Sequence, residues 1–243
     1  MGEKKDLPNK IANNKLIVLL VVGVIFITAI YFYRSSLSEN IKYKLAGKRT
    51  TIEAIQTIES DVKKRLPINF NEFKELTLIA LKDEKKLEVW GKKDSWQLIK
   101  TYDFTAFSGK LGPKLKEGDR QIPEGIYRAE GLNPNSSYHL SIKVNYPNEF
   151  DRKIASQQAR TNLGGDIFIH GKAVTIGCIP IGDTAIEELF YTVYSVGKDK
   201  TKIIIAPIDL RKRKIEELKI EYLWQTDLYS NISNELSHYK SSS

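Results

Sequence analysis

Apolar residues along the chain change their spacing several times, and each change predicts a different element. Residues 16–33 form an apolar run without a charged residue. A helix rises about 1.5 Å per residue and the hydrocarbon core of a bilayer is about 30 Å thick, so this run is just long enough to span a membrane. Over residues 51–66 the apolar positions recur at steps of three and four, which predicts an amphipathic helix that ends at Pro67.

Beyond residue 75 the alternation of apolar and polar residues is typical of β-strands. Two such stretches, 76–81 and 87–90, flank a charged connection and predict a hairpin. Further strands are predicted over 96–102, 125–129, 138–144, 166–170 and 202–208. A helix is predicted over 184–196, with Thr184 and Glu187 forming a capping box, and one or two helices over 212–239. The expected fold class is therefore mainly β with flanking helices (α+β).

These elements divide the chain into four parts: a tail over 1–15, a transmembrane anchor over 16–33, a tether with a juxtamembrane helix over 34–66, and a globular domain with C-terminal helices over 67–243. Four lysines precede the apolar run and only Arg34 follows it closely, so we expect the tail in the cytoplasm and the domain outside it. A cleaved signal peptide is the alternative. Its apolar region is usually shorter and ends at a small-x-small site, which is missing here.

Composition narrows the possible partners. The net charge is +8, but the 38 Lys and Arg residues are interspersed with 30 Asp and Glu residues, and an outward-facing domain has little access to nucleic acid. The densest basic cluster, 211–214, is followed by two glutamates and predicts a solvated start of a helix. One cysteine and three scattered histidines do not supply the ligand spacing of a metal site, and no cofactor is predicted.

The single cysteine is the candidate centre of the chemistry. If Asp166, Phe168 and His170 share one strand face, the His170 imidazole lies at the carboxyl end of that strand. An imidazole there can accept a thiol proton, so Cys178 is a candidate nucleophile and His170 its base. The amides of Gly177 and Cys178 are candidate donors to an oxyanion. The alternative is a buried structural cysteine beside a structural histidine.

Several ordered motifs accompany this pair: LGPK at 111–114, EGD at 117–119, PEGIY at 123–127, SYHLS at 137–141, NYPN at 145–148 and TIGC at 175–178. Together they resemble the L,D-transpeptidase catalytic-domain family of the YkuD type, and more narrowly its YafK-like branch. The resemblance covers roughly residues 76–196.

The resemblance implies a β-rich catalytic domain that acts on peptidoglycan stem peptides, usually containing meso-diaminopimelate, outside the cytoplasmic membrane. By position, Cys178 is the nucleophile that attacks the bond between an L-centre and the following D-residue, His170 is its base, and the backbone at Gly177 is the oxyanion site. An amine or water then accepts the acyl group. The substrate-binding candidates are Lys114, Glu117, Asp119, Glu124, Tyr127, His139 and Thr175.

Two positions depart from the wider family, in which a histidine and an Arg or Asn flank the Gly-Cys pair. Ile176 replaces the histidine and Pro180 replaces the polar residue, so recognition of a substrate carboxylate by that polar residue is not expected here. The alternatives to a transpeptidase are an L,D-specific hydrolase of the same fold and a non-catalytic wall-binding module. The presence of both His170 and Cys178 favours an enzyme.

Overall fold

The computed structural model describes residues 19–24, 26–28, 30–31, 41 and 44–240, and the chain divides into two units. In the first unit, Met1–Thr50, the described residues between 19 and 31 are helical. The predicted tail 1–15, residues 16–18, 25, 29 and 32–33 of the predicted anchor, and residues 34–40 and 42–43 of the predicted tether lie outside the described residues. No helix in the described part is long and apolar enough to cross a bilayer.

The second unit begins at Thr51 and is built around a β-sheet. Its α-helices are α1 (Thr51–Arg65), α2 (Glu149–Gln157), α3 (Asp183–Val196) and α4 (Trp224–Leu236). Its strands are β1 (Glu75–Leu81), β2 (Lys86–Lys92), β3 (Trp96–Asp103), β4 (Gly125–Asn133), β5 (Ser141–Val144), β6 (Phe168–His170), β7 (Ile179–Pro180) and β8 (Thr201–Ala206). Short 3₁₀ turns occur at Phe70–Glu72, Lys198–Lys200 and Ile215–Glu217. The mainly β architecture with flanking helices is confirmed.

The strands form one mixed sheet in the order β3-β2-β1-β8-β4-β5-β6-β7. β1 runs parallel to β8 at the centre, and β6 runs parallel to β7 at one edge. The other neighbours are antiparallel, including the predicted β1–β2 hairpin and its continuation into β3. β1 and β8 are almost continuously apolar because helices cover both faces of the sheet at its centre.

Helices on opposite faces of the sheet create two apolar layers. α1 and α3 pack on one face, for example through Val62 and Leu189. α4 packs on the other face through Tyr229 and Ile232, so the C-terminal helix closes the back of the sheet. α1 therefore contributes to the core of the second unit, although the sequence pattern grouped it with the tether. Arg65 at its end binds Glu187 on α3 at 2.7 Å.

Two predicted strands begin later than expected, for a reason in the backbone. β5 begins at Ser141 rather than 138, and His139 just before it has a φ of +75°. β6 begins at Phe168 rather than 166, and Asp166 has a φ of +53°. Positive φ values lie outside the extended region, so neither residue can continue a strand.

One prediction about polar residues was wrong, and a second was right only in part. α3 begins after Gly182 without a side-chain cap, so Thr184 and Glu187 form no capping box, and Glu187 instead pairs with Arg65. The basic cluster 211–214 begins no α-helix, and three of its members, Lys212, Arg213 and Lys214, are exposed as predicted. Its first member, Arg211, is only 11% exposed and its guanidinium binds Glu88 at 2.8 Å and Asp209 at 2.7 Å, because both carboxylates face it from the folded core.

Candidate active site

Cys178 stands directly before β7, at the end of the loop that leaves β6. The β6–β7 pairing joins Ile169 with Ile179 and His170 with Pro180. Paired residues in a parallel sheet point to the same face, and side chains alternate along each strand. Extending the register by one residue places Cys178 beside Phe168, on the face that carries His170. The strand pairing therefore brings the thiol and the imidazole to one face of the sheet edge.

The His170 imidazole is buried and fixed in orientation, with the residue only 1% exposed. Its Nδ1 lies 2.6 Å from the carbonyl oxygen of Gly171. A carbonyl oxygen can only accept, so Nδ1 carries the hydrogen and the neutral ring keeps a lone pair on Nε2. Burial lowers the pKa of His170, although the bond to Gly171 opposes this shift. His170 is therefore a neutral base with a defined tautomer.

The ring of Tyr138 packs on that imidazole. The two ring centroids are 4.6 Å apart and the planes are tilted by 32°. The backbone of Tyr138 is tied to the same place, because the Gly171 amide donates to the Tyr138 carbonyl at 3.1 Å. Tyr138 therefore restricts how the imidazole can rotate.

The Cys178 thiol is protonated at rest. Burial raises its pKa and the Asp166 carboxylate adds to this shift, while a backbone bond at Phe168 and the charge of Lys114 oppose it. Its Sγ lies 3.6 Å from the carbonyl oxygen of Asp166, to which the thiol donates. The thiol and the imidazole on this face of the sheet are both neutral, so transfer of the thiol proton to His170 has to accompany the attack on a substrate.

The turn before Cys178 is organised by the hydroxyl of Thr175. The amides of Gly177 and Cys178 both donate to Thr175 Oγ1, at 3.1 and 2.8 Å, and the hydroxyl donates to the Cys178 carbonyl at 2.8 Å. Two amides that converge on one oxygen have the arrangement an oxyanion requires. In this state the Thr175 hydroxyl occupies that position. Thr175 thus holds the candidate oxyanion donors instead of facing solvent as a substrate ligand.

A second loop, 108–124, forms the wall next to this turn. A Cβ on Gly177, whose φ is +132°, would lie 3.1 Å from the Gln121 carbonyl oxygen, so the two loops approach closely. Lys114 Nζ donates to Asp119 Oδ1 at 2.6 Å. Burial alone would raise the pKa of Asp119, but the Lys114 bond and three backbone amides lower it. Glu117 is exposed on the same loop.

Glu124 and Tyr127 are buried inside the domain, contrary to the expectation that they line a substrate groove. Glu124 accepts from Lys82 Nζ at 2.8 Å and from the Tyr229 hydroxyl at 2.8 Å. The Tyr127 hydroxyl donates to the carbonyl of Glu124 and lies 3.3 Å from the carboxylate of Asp151. The polar groups of both side chains are used in internal hydrogen bonds: Glu124 links the start of β4 to α4, and Tyr127 links β4 to α2.

His139 lies next to Tyr138, but its imidazole points to α3. Its Nε2 lies 2.9 Å from Glu187 Oε1, and Arg65 binds the other oxygen of the same carboxylate at 2.7 Å. This network holds the backbone at His139, and therefore also that of the adjacent Tyr138, whose ring packs on the His170 imidazole. In the part of the chain that the structure describes, no group of three or more His, Cys, Asp or Glu side chains could hold a metal ion.

Tyr138 and Lys82 are functional or structural residues that the sequence did not reveal. Tyr138 lies within the SYHLS motif, and an aromatic residue beside a histidine in that motif was the signal available. Lys82 follows the apolar stretch 76–81 and resembles the first residue of a charged turn. Its Nζ is fully buried and donates to Gly112, Ile122 and Glu124, and nothing in the local sequence indicates this.

Comparison with known proteins identifies the family. Residues 77–205, more than half of the chain, match the family model "YkuD: L,D-transpeptidase catalytic domain". The chain belongs to the L,D-transpeptidase catalytic-domain family. The matched range contains His170, Cys178 and the sheet that positions them, whereas α1 and α4 lie outside it. The family recognised from the sequence motifs is confirmed.

The individual relatives of this L,D-transpeptidase domain share at most about a third of its residues. YafK of Escherichia coli (strain K12) is 31% identical over 144 residues, which cover 57% of this chain and 56% of YafK. The chain thus spans about half the length of the curated relatives it matches. The helical cell shape determining protein Pgp2 from Campylobacter jejuni is similar with 19% identity, 80% of each chain covered and a TM-score of 0.46. Bd1075 of Bdellovibrio bacteriovorus is 21% identical with a TM-score of 0.41, covering 68% of this chain and 55% of its own.

Proposed function

We propose that the protein is a membrane-anchored cysteine L,D-transpeptidase that acts on peptidoglycan stem peptides through an acyl-enzyme at Cys178. The observation that supports this most strongly is the pairing of β6 with β7, which brings the thiol to the face of the neutral His170 imidazole. The family acts on peptidoglycan stem peptides, and membership supports the same substrate class here.

The reaction follows from the protonation states of the two groups. Cys178 Sγ attacks the carbonyl carbon of the L-centre while its proton moves to Nε2 of His170. The tetrahedral oxyanion is held by the amides of Gly177 and Cys178, which have to leave the Thr175 hydroxyl to do so. His170 then gives the proton to the departing amine of the D-residue, and a thioester remains. An acceptor amine, or water, attacks the thioester and regenerates the thiol.

Muropeptide turnover tests the proposal. The full chain is incubated with disaccharide tetrapeptide and with cross-linked muropeptides, and the products are followed by mass spectrometry. We expect a covalent acyl adduct on Cys178 and release of the terminal D-residue, both missing in Cys178→Ala. Equal product from the alanine variant would refute Cys178 as nucleophile. Intact muropeptides together with retained binding to sacculi would favour the wall-binding module.

The fate of the acyl group separates transfer from hydrolysis. With an added amine, a transpeptidase yields the amine-linked tripeptide at the expense of the free tripeptide. A hydrolase yields the free tripeptide at all amine concentrations. The ratio of the two products as a function of amine concentration is therefore the measurement that distinguishes transpeptidation from its hydrolytic alternative.

We further propose that residues 16–33 anchor the protein in the cytoplasmic membrane, with the catalytic domain in the periplasm or cell exterior. The apolar run and the lysines that precede it support this orientation. Protease added to intact spheroplasts should digest the catalytic domain, and a domain that is protected until the membrane is dissolved would refute the orientation.

A further inference from the structure

A cavity of about 890 Å³ opens beside the candidate active site. Its walls come from three parts of the chain: residues 110–121, residues 159–162 and residues 219–225. A volume of this size is within the usual range for sites that bind small ligands, roughly 300–1,000 Å³. Tyr222, Leu111 and Pro113 give it apolar surface, and basic side chains surround its rim.

Hydrogen bonds join the first wall to each of the other two. The amide of Gly112 donates to Glu124, which also accepts from Tyr229. Gln225 donates to that tyrosine hydroxyl at 3.2 Å, and its Oε1 accepts from the amide of Tyr222 at 2.8 Å. The first and third walls are thus joined through a buried polar chain.

The second wall is joined to the first by Arg160, whose guanidinium donates to the Leu115 carbonyl at 2.7 Å. The amide of Glu117 also donates to the Asn162 carbonyl at 3.1 Å. The cavity is therefore shaped by specific contacts between its walls, and its form does not depend on exposed loops alone.

The cavity carries an excess of positive charge. Its two carboxylates are already engaged: Asp119 binds Lys114, and Glu221 binds Lys219 at 3.1 Å. Arg160 makes its hydrogen bonds to a carbonyl and to the amide side chain of Gln158, and the charge of Asp151 acts on it without forming an ion pair among the described residues. The Lys116 side chain likewise has no acidic partner among residues 44–240. Two cations are thus available to an anionic ligand.

The cavity adjoins the catalytic turn. Gln121 lines it, and the backbone of the same residue lies against Gly177. The second residue beyond the cysteine is the buried Pro180 of β7, so that position supplies no charge for a substrate carboxylate. A stem of four residues extends at most about 14 Å, so a peptide whose scissile bond is at Cys178 can place a carboxylate in a neighbouring cavity.

We propose that this cavity binds a free carboxylate of the stem peptide, with Arg160 and Lys116 as its cationic ligands. The proposal rests on the proposed function and adds the place of carboxylate recognition. Arg160 offers a planar guanidinium suited to a carboxylate, and Lys116 adds a second positive charge at the rim.

Binding of paired ligands tests the assignment. The full chain carrying Cys178→Ala, which prevents turnover, is titrated by calorimetry with the stem tetrapeptide and with the same peptide converted to carboxamides. We expect amidation to weaken binding by about tenfold or more, the effect of losing one charge-assisted hydrogen bond. In Arg160→Gln or Lys116→Gln the affinities of the acid and amide peptides should differ much less. Lys200→Gln, a change of an exposed lysine outside the cavity, should behave as the parent.

Each outcome decides a separate point. Arg160→Lys retains the charge and should keep part of the discrimination, so a loss of folding in Arg160→Gln does not prevent the test. Equal binding of acid and amide by the parent, or undiminished discrimination in Lys116→Gln and Arg160→Gln, would overturn the cavity assignment. If the cysteine-containing chain turns over muropeptides in that case, the proposed reaction stands without it. If the difference in affinity between acid and amide depends on Arg160 and Lys116 but the cysteine-containing chain does not turn over muropeptides, the proposed reaction is refuted and the proposed carboxylate site is retained.

Discussion

Replacing Thr175 with valine keeps the shape of the side chain and removes the hydroxyl that organises the candidate oxyanion turn. Three hydrogen bonds disappear: two from the amides of Gly177 and Cys178, and one to the Cys178 carbonyl. A net contribution of about 0.5–1.5 kcal/mol per bond gives an upper range of roughly 2–4 kcal/mol. Because the turn is only half-buried, water can replace part of the lost hydrogen bonding, and we expect the free energy of unfolding to fall by about 2 kcal/mol.

The assay combines thermal unfolding with acylation kinetics. For a domain of this size about 2 kcal/mol corresponds to a fall in Tm of roughly 4–8 °C. Loss of one oxyanion donor typically costs 10²–10³ in rate, and displaced amides should slow acylation of Cys178 by about tenfold or more toward that range. Thr175→Ser retains the hydroxyl and serves as the control, and its Tm and its acylation rate should be near those of the parent.

Two results would refute this reasoning. An unchanged Tm in Thr175→Val would mean that the three bonds contribute nothing to the turn. Faster acylation in Thr175→Val would mean that freeing the amides from the hydroxyl matters more than the order the hydroxyl gives the turn, so that Thr175 restrains the site instead of preparing it.

Burial lowers the pKa of His170, so the acid limb of the acylation rate should lie below the usual histidine value of 6.5, and an acid limb above pH 7 would contradict this assignment. Burial raises the pKa of Cys178, so its alkylation by iodoacetamide should stay slow until the pH exceeds the usual thiol value of 9.0. Lys82→Met leaves the carboxylate of Glu124 buried without its cation and should cost about 3–5 kcal/mol in urea unfolding, whereas adding Glu124→Gln should recover part of the loss. A loss in the double variant equal to the sum of the losses in Lys82→Met and Glu124→Gln would show that the pair is not coupled. Tyr138→Leu should lower kcat at constant KM and move the acid limb toward 6.5 as the imidazole gains water, while Tyr138→Phe should retain both; an unmoved acid limb in the leucine variant would contradict a positioning role.

Local patterns were sufficient for most elements and for the identity of the reactive pair. Helix α1, the β1–β2 hairpin and β3 follow directly from the period of their apolar residues. Cys178 and His170 could be chosen because a thiol and a nearby histidine can form a nucleophile–base pair and because the surrounding motifs identified the family. The geometry that supports the pair depends on the register of β6 with β7, which no local pattern specifies.

The remaining features depend on contacts between distant residues. His139 and Asp166 adopt positive φ, a backbone state that a strand pattern cannot reveal. Lys82 and Glu124 each resemble surface residues, and only the folded sheet shows that they neutralise one another in its interior. The cavity walls come from three segments that are far apart in the sequence, and no local pattern indicates that these segments are close together in the fold.

The place of β8 in the sheet has a consequence for how the domain assembles. β8 lies between β1 and β4, so it joins the β1–β3 meander to the strands that lead to Cys178. It is also the last strand along the chain, and its pairing with β1 closes most of the domain's sequence into one loop. Until β8 is in place, the apolar edge of β1 lacks its partner, and such edges promote aggregation. Folding should therefore be completed from the C-terminal side, and a chain interrupted before Thr201 should form insoluble material even though it contains both His170 and Cys178.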